Sequence, residues 1–224
     1  MKKSSSKKLS KPDKKQSVSK ELMLPRGYLS WTQYSLYKSS REKYIAKYID
    51  GEEYDLDNSG LRFGKTISEL LDGTREAETE SDHMVKIALP RYQFSEYEVI
   101  AYINTPRGKV KLLCRLDTYS GLDWMFREFK TGRVPWTIAK SLKHGQITFY
   151  TLGLYLDQPK RGIPTSHLDW METIEDENGV RLTGKIQSFK TTKSMVEVLE
   201  MMQDIIKVAY EIDELWRAKL AKIL

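Results

Sequence analysis

The sequence feature that most constrains the fold is a series of three strand-like segments between residues 96 and 130. Residues 96–104 alternate between apolar and polar side chains, and a turn signal, Thr105-Pro106-Arg107-Gly108, separates them from a second strand pattern over residues 109–119. Ser120-Gly121 then leads into a third strand pattern at residues 124–130. Alternation with a period of two is typical of a half-buried strand, and Gly and Pro mark the turns between strands. The chain is therefore expected to form a sheet from these consecutive strands.

Helical patterns and further strands surround this series. Ser30 is a good N-cap for a tyrosine-rich helix, and residues 194–220 carry apolar side chains at the spacing of a long amphipathic helix. Residues 146–156 have another helical pattern, and residues 165–173 and 180–189 are expected to form two more strands. The mixture of elements predicts an α/β fold class, with a mixed central sheet flanked by helices.

Length and composition indicate one folded domain preceded by a basic tail. The chain has 224 residues, of which 40% are hydrophobic, and this is enough for a sizeable core. Residues 1–25 are rich in Lys and Ser, which is typical of a disordered tail, so the domain is expected to span residues 26–224. Residues 1–20 contain eight lysines and one acid, a charge of +7 against +6 for the whole chain, so the remainder sums to −1. The tail could bind nucleic acid phosphates or serve only as a solubilising extension.

The sequence disfavours several classes of protein. No apolar run approaches the length of a membrane span, and the charged N-terminus lacks the apolar segment of a secretory signal. The single cysteine, Cys114, excludes an internal disulfide and a cysteine-only metal cluster, and it is consistent with a reducing cytoplasm. Cys114 and Asp117 fall on opposite faces of one strand pattern, so Cys114 is expected to be a buried structural thiol rather than a nucleophile.

Five polar residues fall where two strands and a helix could bring them together. Asp117 ends an apolar strand pattern, Glu128 and Lys130 share one face of the next strand, and Gln146 and Tyr150 share one face of a helix. Two neighbouring carboxylates repel each other unless a divalent cation lies between them, and oxygen ligands suit Mg²⁺ or Mn²⁺. Such a cation activates water, and an amine beside it stabilises a hydroxide or a phosphate. The set is therefore suited to metal-dependent hydrolysis of a phosphodiester, in which Gln146 and Tyr150 would orient the amine or a phosphate oxygen.

This arrangement resembles the PD-(D/E)xK nuclease superfamily, in particular its RecB-type branch, which includes lambda exonuclease-like nucleases, CRISPR-associated nucleases and many phage proteins. The branch carries an Asp on a strand, then acid-x-Lys-Thr-Gly, then Gln-x-x-x-Tyr. This chain has Asp117, Glu128-Phe129-Lys130-Thr131-Gly132 and Gln146-Ile147-Thr148-Phe149-Tyr150 in the same order. The resemblance covers most of residues 28–215. It implies a restriction-endonuclease-like core and a Mg²⁺- or Mn²⁺-dependent deoxyribonuclease in the cytoplasm of a bacterium or a phage-infected cell.

The resemblance also indicates which residues would hold the metal. The ligands expected from the central motifs are Asp117, Glu128 and the backbone carbonyl of Phe129. Relatives carry a His in a helix, four residues after a glycine that corresponds to Gly64, whereas this chain has Ser68-Glu69 at that point. Glu69 is therefore the predicted additional ligand. The alternative is that Glu69 is a solvated helical glutamate beside Lys65, four residues earlier.

Basic residues near these motifs are candidates for contacting the DNA backbone. Arg115 shares a strand face with Asp117 and could contact a phosphate or simply pair with an acid. The loop at residues 132–143 combines cations with a tryptophan, which suits a nucleic acid backbone; the alternative is a basic loop with a packed tryptophan. The predicted DNA-binding residues are Arg115, Thr131, Arg133, Trp136, Lys140 and Lys143.

The function predicted from these observations is a metal-dependent DNA nuclease that serves recombination, repair or DNA processing. The resemblance alone implies that it is an exonuclease, and that a recombination protein or a second copy of the chain is its protein partner. The alternatives are a non-catalytic DNA-binding protein on the same fold, a structure-selective endonuclease and a ribonuclease. Clustered carboxylates argue against the first of these, because they repel phosphate in the absence of a metal. Some relatives bind an iron–sulfur cluster through a Cys-Pro that ends the opening helix, but residues 38–41 are Lys-Ser-Ser-Arg here, so no cluster is implied.

Overall fold

The computed structural model describes residues 20–53, 59–89, 94–177 and 179–223, and for residues 59–62 it describes the backbone alone. The described strands are β1 (Leu29–Ser30), β2 (Phe94–Thr105), β3 (Gly108–Ser120), β4 (Met125–Gly132), β5 (Thr165–Asp176) and β6 (Gly179–Thr192). The described helices are α1 (Trp31–Ser39), α2 (Arg41–Tyr44), α3 (Ser59–Asp72), α4 (Glu80–Ala88), α5 (Ile138–Leu142), α6 (Gly145–Asp157) and α7 (Met195–Ala221). A π-helical turn, Ile45–Asp50, continues α2, and a 3-10 turn, Pro159–Arg161, follows α6.

The strands form one mixed sheet. β2 and β3 pair antiparallel along almost their whole length, because the turn predicted at residues 105–108 joins them as a hairpin. β3 pairs antiparallel with β4, β4 pairs parallel with β5, and β5 pairs antiparallel with β6. The predicted fold class, an α/β protein with a mixed central sheet flanked by helices, is confirmed.

The sheet contains a fork at which β3 changes partner. β2 occupies one edge of β3, so β1 and β4 must share the other edge. β1 pairs parallel with Leu112 and Leu113, and β4 pairs with residues 118–120. Positions 114–117 of β3 lie between these two partners. We call this break the β3–β4 fork, and Asp117 lies at its β4 end.

Helices cover both faces of the sheet. The larger core packs α1, α6 and α7 against the strands, and Phe126, Phe149 and Trp170 are among its fully buried side chains. A smaller cluster packs α3 and α4 against the other face, where they meet Met171 of β5 and Leu182 of β6. Trp170 and Met171 are neighbours in the chain but belong to different clusters, because successive side chains of a strand point to opposite faces.

The described residues just before the predicted tail boundary at residue 25 pack against the domain. Leu22 and Leu24 are each only 5% exposed, and both belong to the larger core. The backbone N–H of Leu22 donates to the carbonyl of Lys109 at 2.9 Å, and that of Met23 donates to Asp213 Oδ1 at 2.7 Å. The tail was predicted from the average composition of residues 1–25, to which these two leucines contribute little. Both leucines nevertheless pack in the larger core. The rest of the predicted tail, residues 1–19, lies outside the described residues.

Two local predictions concern single side chains. The Ser30 hydroxyl accepts a hydrogen bond from the backbone N–H of Gln33, which confirms Ser30 as the N-cap of α1. Cys114 is buried, as predicted, and burial raises the pKa of its thiol. Among the helices that the structure describes, none combines the length and the apolar character needed to cross a membrane.

Candidate active site

Asp117 is held at the β3–β4 fork by the backbone of the neighbouring strand. The ladder between β3 and β4 ends with the pair Thr118 and Arg127, and the strands separate beyond it. Asp117 Oδ2 accepts a hydrogen bond from the backbone N–H of Phe129 at 2.5 Å. The carboxylate therefore takes the place of a strand carbonyl at the point where the two strands diverge.

Beside Asp117, four side chains form a continuous chain of hydrogen bonds from β4 to α6. Lys130 Nζ donates to Glu128 Oε1 at 2.6 Å and to Gln146 Oε1 at 2.9 Å. Gln146 Nε2 in turn donates to the hydroxyl of Tyr150 at 3.0 Å. The residues two apart on the strand share a face, and so do the residues four apart on the helix. The structure thus brings together the five residues that the sequence predicts to be catalytic.

Two glycines allow α6 to approach closely enough to complete this chain. A Cβ atom at Gly153 would lie 2.4 Å from Cys114 Sγ of β3, and one at Gly145 would lie 2.6 Å from the ring of Trp31 in α1. Distances below 3.0 Å require neighbouring groups to move. The glycines therefore let the helix lie against the sheet and against α1, and this position places Gln146 within hydrogen-bonding reach of Lys130.

Burial and charge perturb the ionisation of the site. Burial is the largest cause of the pKa of Asp117 lying well above its usual range, and the neighbouring Glu128 charge raises it further. Burial also raises the pKa of Glu128, while Lys130 acts in the opposite direction. Burial would lower the pKa of Lys130, but the Glu128 carboxylate outweighs it, so the net pKa is raised and the amine stays protonated. The pKa of Tyr150 is raised, mainly by burial, so its hydroxyl stays neutral.

The oxygen atoms at the fork fit a divalent cation. Glu128 is 2% exposed, and its Oε2 atom is buried without a hydrogen-bond partner. A buried carboxylate oxygen is costly unless a cation or an ordered water binds it. Two adjacent carboxylates and a backbone carbonyl such as that of Phe129 make an all-oxygen donor set, which suits Mg²⁺ or Mn²⁺. No group of three or more Asp, Glu, His or Cys side chains in the described part of the chain is arranged as ligands, so water and backbone would complete the coordination.

The structure does not bring Glu69 to this site. A cavity between α3, α4 and the strands is lined by Ser68 and Asp72 of α3, together with Asp117. Glu69 is one residue beyond Ser68, rotated by about 100° around the helix, and its carboxylate lies 3.8 Å from Lys65. This is the alternative considered for Glu69 in the sequence, a helical glutamate beside a lysine four residues earlier.

The residues predicted to contact DNA lie close to the site in the chain, but several already have protein partners. Arg115 is exposed and its Nε donates to Glu98 at 2.7 Å, and Arg133 forms an ion pair with Glu175. Lys140 Nζ lies 4.1 Å from the centre of the Trp136 ring. Ion pairs between exposed side chains contribute little free energy, so a phosphate could displace them. Two further predicted residues, Thr131, partly buried on β4, and Lys143, exposed after α5, flank the same loop.

Tyr150 also lines a second cavity, which sequence analysis did not predict. Arg26 and Arg115 line it together with Trp31, Gln33 and Tyr150. Gln33 is 2% exposed, and its Oε1 atom is buried without a hydrogen-bond partner. The arginines are 89 positions apart in the sequence, so only the pairing of β1 with β3 brings them to one cavity.

Glu96 is another acidic residue near Asp117. The sequence predicted it only as the first residue of a strand, with no role in the site. Glu96 of β2 lines the same cavity as Asp117, and its φ of +49° lies in the left-handed region. Among the described residues other than glycine, only Glu96 and Trp124 have a positive φ. A single acid in an alternating pattern carries no signal of such a conformation, so sequence analysis could not have found it.

Comparisons with known proteins give similarity to solved structures only. No family model matches the chain, and no curated protein matches its sequence. An alkaline exonuclease, LHK-Exo from Laribacter hongkongensis, is similar at a TM-score of 0.47 with 11% identity, covering 88% of this chain and 95% of that one. The same exonuclease in complex with dAMP is similar at 0.44 with 13% identity, covering 89% and 96%. A proposed exonuclease from Eubacterium rectale is similar at 0.48 with 11% identity, covering 87% and 82%.

Proposed function

We propose that this chain is a Mg²⁺- or Mn²⁺-dependent deoxyribonuclease, acting as an exonuclease. The observation that carries the proposal is the position of Lys130, whose ammonium is bound by Glu128 and Gln146 beside the half-buried carboxylate of Asp117. A non-catalytic binding protein has no use for two carboxylates where phosphate must bind, because they repel it. A hydrolase needs them, because they hold the cation that activates water.

Each residue of the site has a distinct part in this reaction. Asp117 and Glu128 would hold the cation, which supplies an activated water and charge for the phosphate oxygens. Lys130 remains protonated, so it does not act as a base; it stabilises the hydroxide that attacks phosphorus and the negative charge that develops on the phosphate. Gln146 restrains the Lys130 amine through its carbonyl oxygen, and the Tyr150 hydroxyl accepts from the Gln146 amide and fixes its orientation.

The DNA backbone would reach the site along the loop between β4 and α6. This loop follows the strand that carries Glu128 and Lys130 and precedes the helix that carries Gln146. Its exposed cations, Arg133, Lys140 and Lys143, and the Trp136 ring under Lys140 can bind phosphate and stack on a base. Thr131 and Arg115 would contact the backbone on either side of the cation. Recombination, repair or DNA processing is the proposed setting, with a recombination protein or a second copy of the chain as partner.

The test is digestion of linear and circular DNA, single-stranded and double-stranded, with Mg²⁺, Mn²⁺ or EDTA. We expect cleavage of linear DNA that requires a divalent cation, loss of cleavage in Lys130→Ala, and no loss in Lys207→Ala, which removes an exposed lysine of α7. Cleavage of circular DNA would instead indicate an endonuclease, and equal cleavage of RNA would indicate a ribonuclease. Full activity in EDTA, or in Lys130→Ala, would overturn the assignment.

A further inference from the structure

The position of Glu96 on β2 depends on an irregularity in the strand. The register pairs the residues on either side of Glu96 with Thr118 and Leu116, so Glu96 itself lies across from Asp117. Its φ of +49° is one that residues other than glycine rarely adopt. Strained backbone of this kind persists only where the surrounding structure imposes it, and it is concentrated at functional sites. The hairpin with β3 therefore delivers a carboxylate to the cavity next to Asp117.

Glu96 and the half-buried Asp117 line the same cavity, so their carboxylates face one volume. The cavity that Glu96 shares with Asp117 is otherwise lined by few charged side chains, Asp72 and Lys86. Three carboxylates, those of Asp72, Glu96 and Asp117, thus line one small cavity together with a single amine, that of Lys86.

A separate observation indicates that the other carboxylate of the fork, Glu128, lacks a partner that a cation could supply. Glu128 Oε1 accepts a hydrogen bond from Lys130 Nζ, but Glu128 Oε2 is buried and has no hydrogen-bond partner. Burying an unpaired carboxylate oxygen costs free energy, and a cation or a cation-bound water beside it would remove this cost. The orphaned oxygen belongs to Glu128, which is proposed to hold the cation together with Asp117.

We propose that Glu96 is a further cation-holding residue of this site and acts with Asp117 and Glu128 on one hydrated divalent cation, through a water bound to that cation. The inference rests on the proposed function. Mg²⁺ keeps several of its waters when it binds to proteins, so a carboxylate that binds such a water need not be at ligand distance itself. This accounts for an exposed Glu96 side chain next to the half-buried Asp117. Glu96 would then be the additional acid that helps to hold the cation, the role that the sequence predicts for Glu69. Glu69 itself lies beside Lys65.

The experiment measures cation binding directly, without nucleic acid. Isothermal titration calorimetry with Mg²⁺ and with Mn²⁺, and the unfolding temperature as a function of cation concentration, are recorded for the full chain. We expect Glu96→Gln to weaken Mg²⁺ binding by about 10-fold, the lower end of the effect of removing a partner that supports metal ligands indirectly. Asp117→Asn should weaken it more. Glu69→Gln and the control Glu200→Gln, which removes an exposed acid of α7, should leave it unchanged.

The outcomes separate this inference from the proposed function. Cation binding that Asp117→Asn weakens and Glu96→Gln leaves unchanged would overturn the role of Glu96 and leave the nuclease proposal standing. A loss in Glu69→Gln instead would assign the role to α3. If the unmutated chain binds neither cation, both proposals fail. Should Glu96→Gln fold poorly, Glu96→Gly, which accepts a positive φ without strain, must show the same weakened binding.

Discussion

Two regions of the molecule carry the acidic side chains in and around the candidate site, and they differ in how those side chains are fixed. At the β3–β4 fork, Asp117 is bound by a backbone N–H, and Glu128 is bound by Lys130. On the side of α3 and α4, Glu96 extends from a strained strand position and Glu69 lies beside Lys65. We refer to this second region as the α3–α4 side. The fork is a connected polar network inside the protein, whereas the α3–α4 side consists of single residues around a cavity.

The difference shows why a short motif can define a catalytic centre but not its whole coordination environment. The network members lie two apart on a strand and four apart on a helix, so local geometry already brings them to common faces. The residues of the α3–α4 side come from two helices and a strand that only the packed fold brings together. Substitutions in the two regions should therefore differ in the size and in the kind of their effects.

The largest effect is expected within the fork. Lys130→Ala and Asp117→Asn should each lower kcat by about 10³-fold or more. The Lys130 amine and the cation held by Asp117 both stabilise the negative charge that develops on the phosphate. The double variant should lose little more than either single variant, since residues that act as a unit have non-additive effects. Single-turnover cleavage of labelled DNA measures this, with circular dichroism as the control for folding. Additive losses would show that the two residues act independently.

A smaller effect is expected where the network reaches α6. Gln146→Ala should lower kcat by about 10- to 100-fold, because the Lys130 amine loses one of its two restraints and its position becomes less defined. Tyr150→Phe removes only the acceptor for the Gln146 amide, so we expect a milder loss of activity and about 1 kcal/mol of stability. Denaturant unfolding alongside kinetics separates the two effects. A large fall in stability with unchanged activity per folded molecule would assign Gln146 to packing alone.

The ionisation of Asp117 gives a prediction that depends on pH. Its pKa is raised in the folded state, so the group favours folding below its unfolded pKa and this contribution is lost as pH rises through the folded pKa. In EDTA, Asp117→Asn should therefore raise the unfolding temperature at neutral pH, and the gain should shrink towards pH 4. Added Mg²⁺ should reverse the order, because only the carboxylate binds it. An unfolding temperature of Asp117→Asn that is lower than that of the unmutated chain in EDTA at pH 7 would contradict this account.

The smallest effect is expected at the strained position of the α3–α4 side. In EDTA, Glu96→Gly should raise the free energy of unfolding by about 1 kcal/mol, because relief of the left-handed conformation outweighs the extra entropy that glycine gains on unfolding. Glu98→Gly is the matched control on the same strand; without a positive φ there, it should lower stability. Chemical denaturation of both variants measures the difference. Equal destabilisation by the two substitutions would mean that Glu96 is not strained.

The central part of the site and the class of fold could be predicted from the amino-acid sequence. Strand periodicity placed Glu128 and Lys130 on one face, helix periodicity placed Gln146 and Tyr150 on another, and turns at residues 105–108 and 120–121 predicted consecutive strands. These are local relations of four residues or fewer, which backbone geometry sets regardless of the rest of the chain.

The distant residues that join this centre could be identified only from the packed fold. It placed Leu22 and Leu24 in the core, paired Arg115 with Glu98, and brought Glu96 to the cavity while leaving Glu69 beside Lys65. Each of these outcomes depends on the register of β2 on β3, on the rotation of α3 about its axis, or on the segment that pairs with Lys109. Register and rotation are set by the packing of the whole core, because a shift of one residue on a strand or helix turns a side chain away from its target.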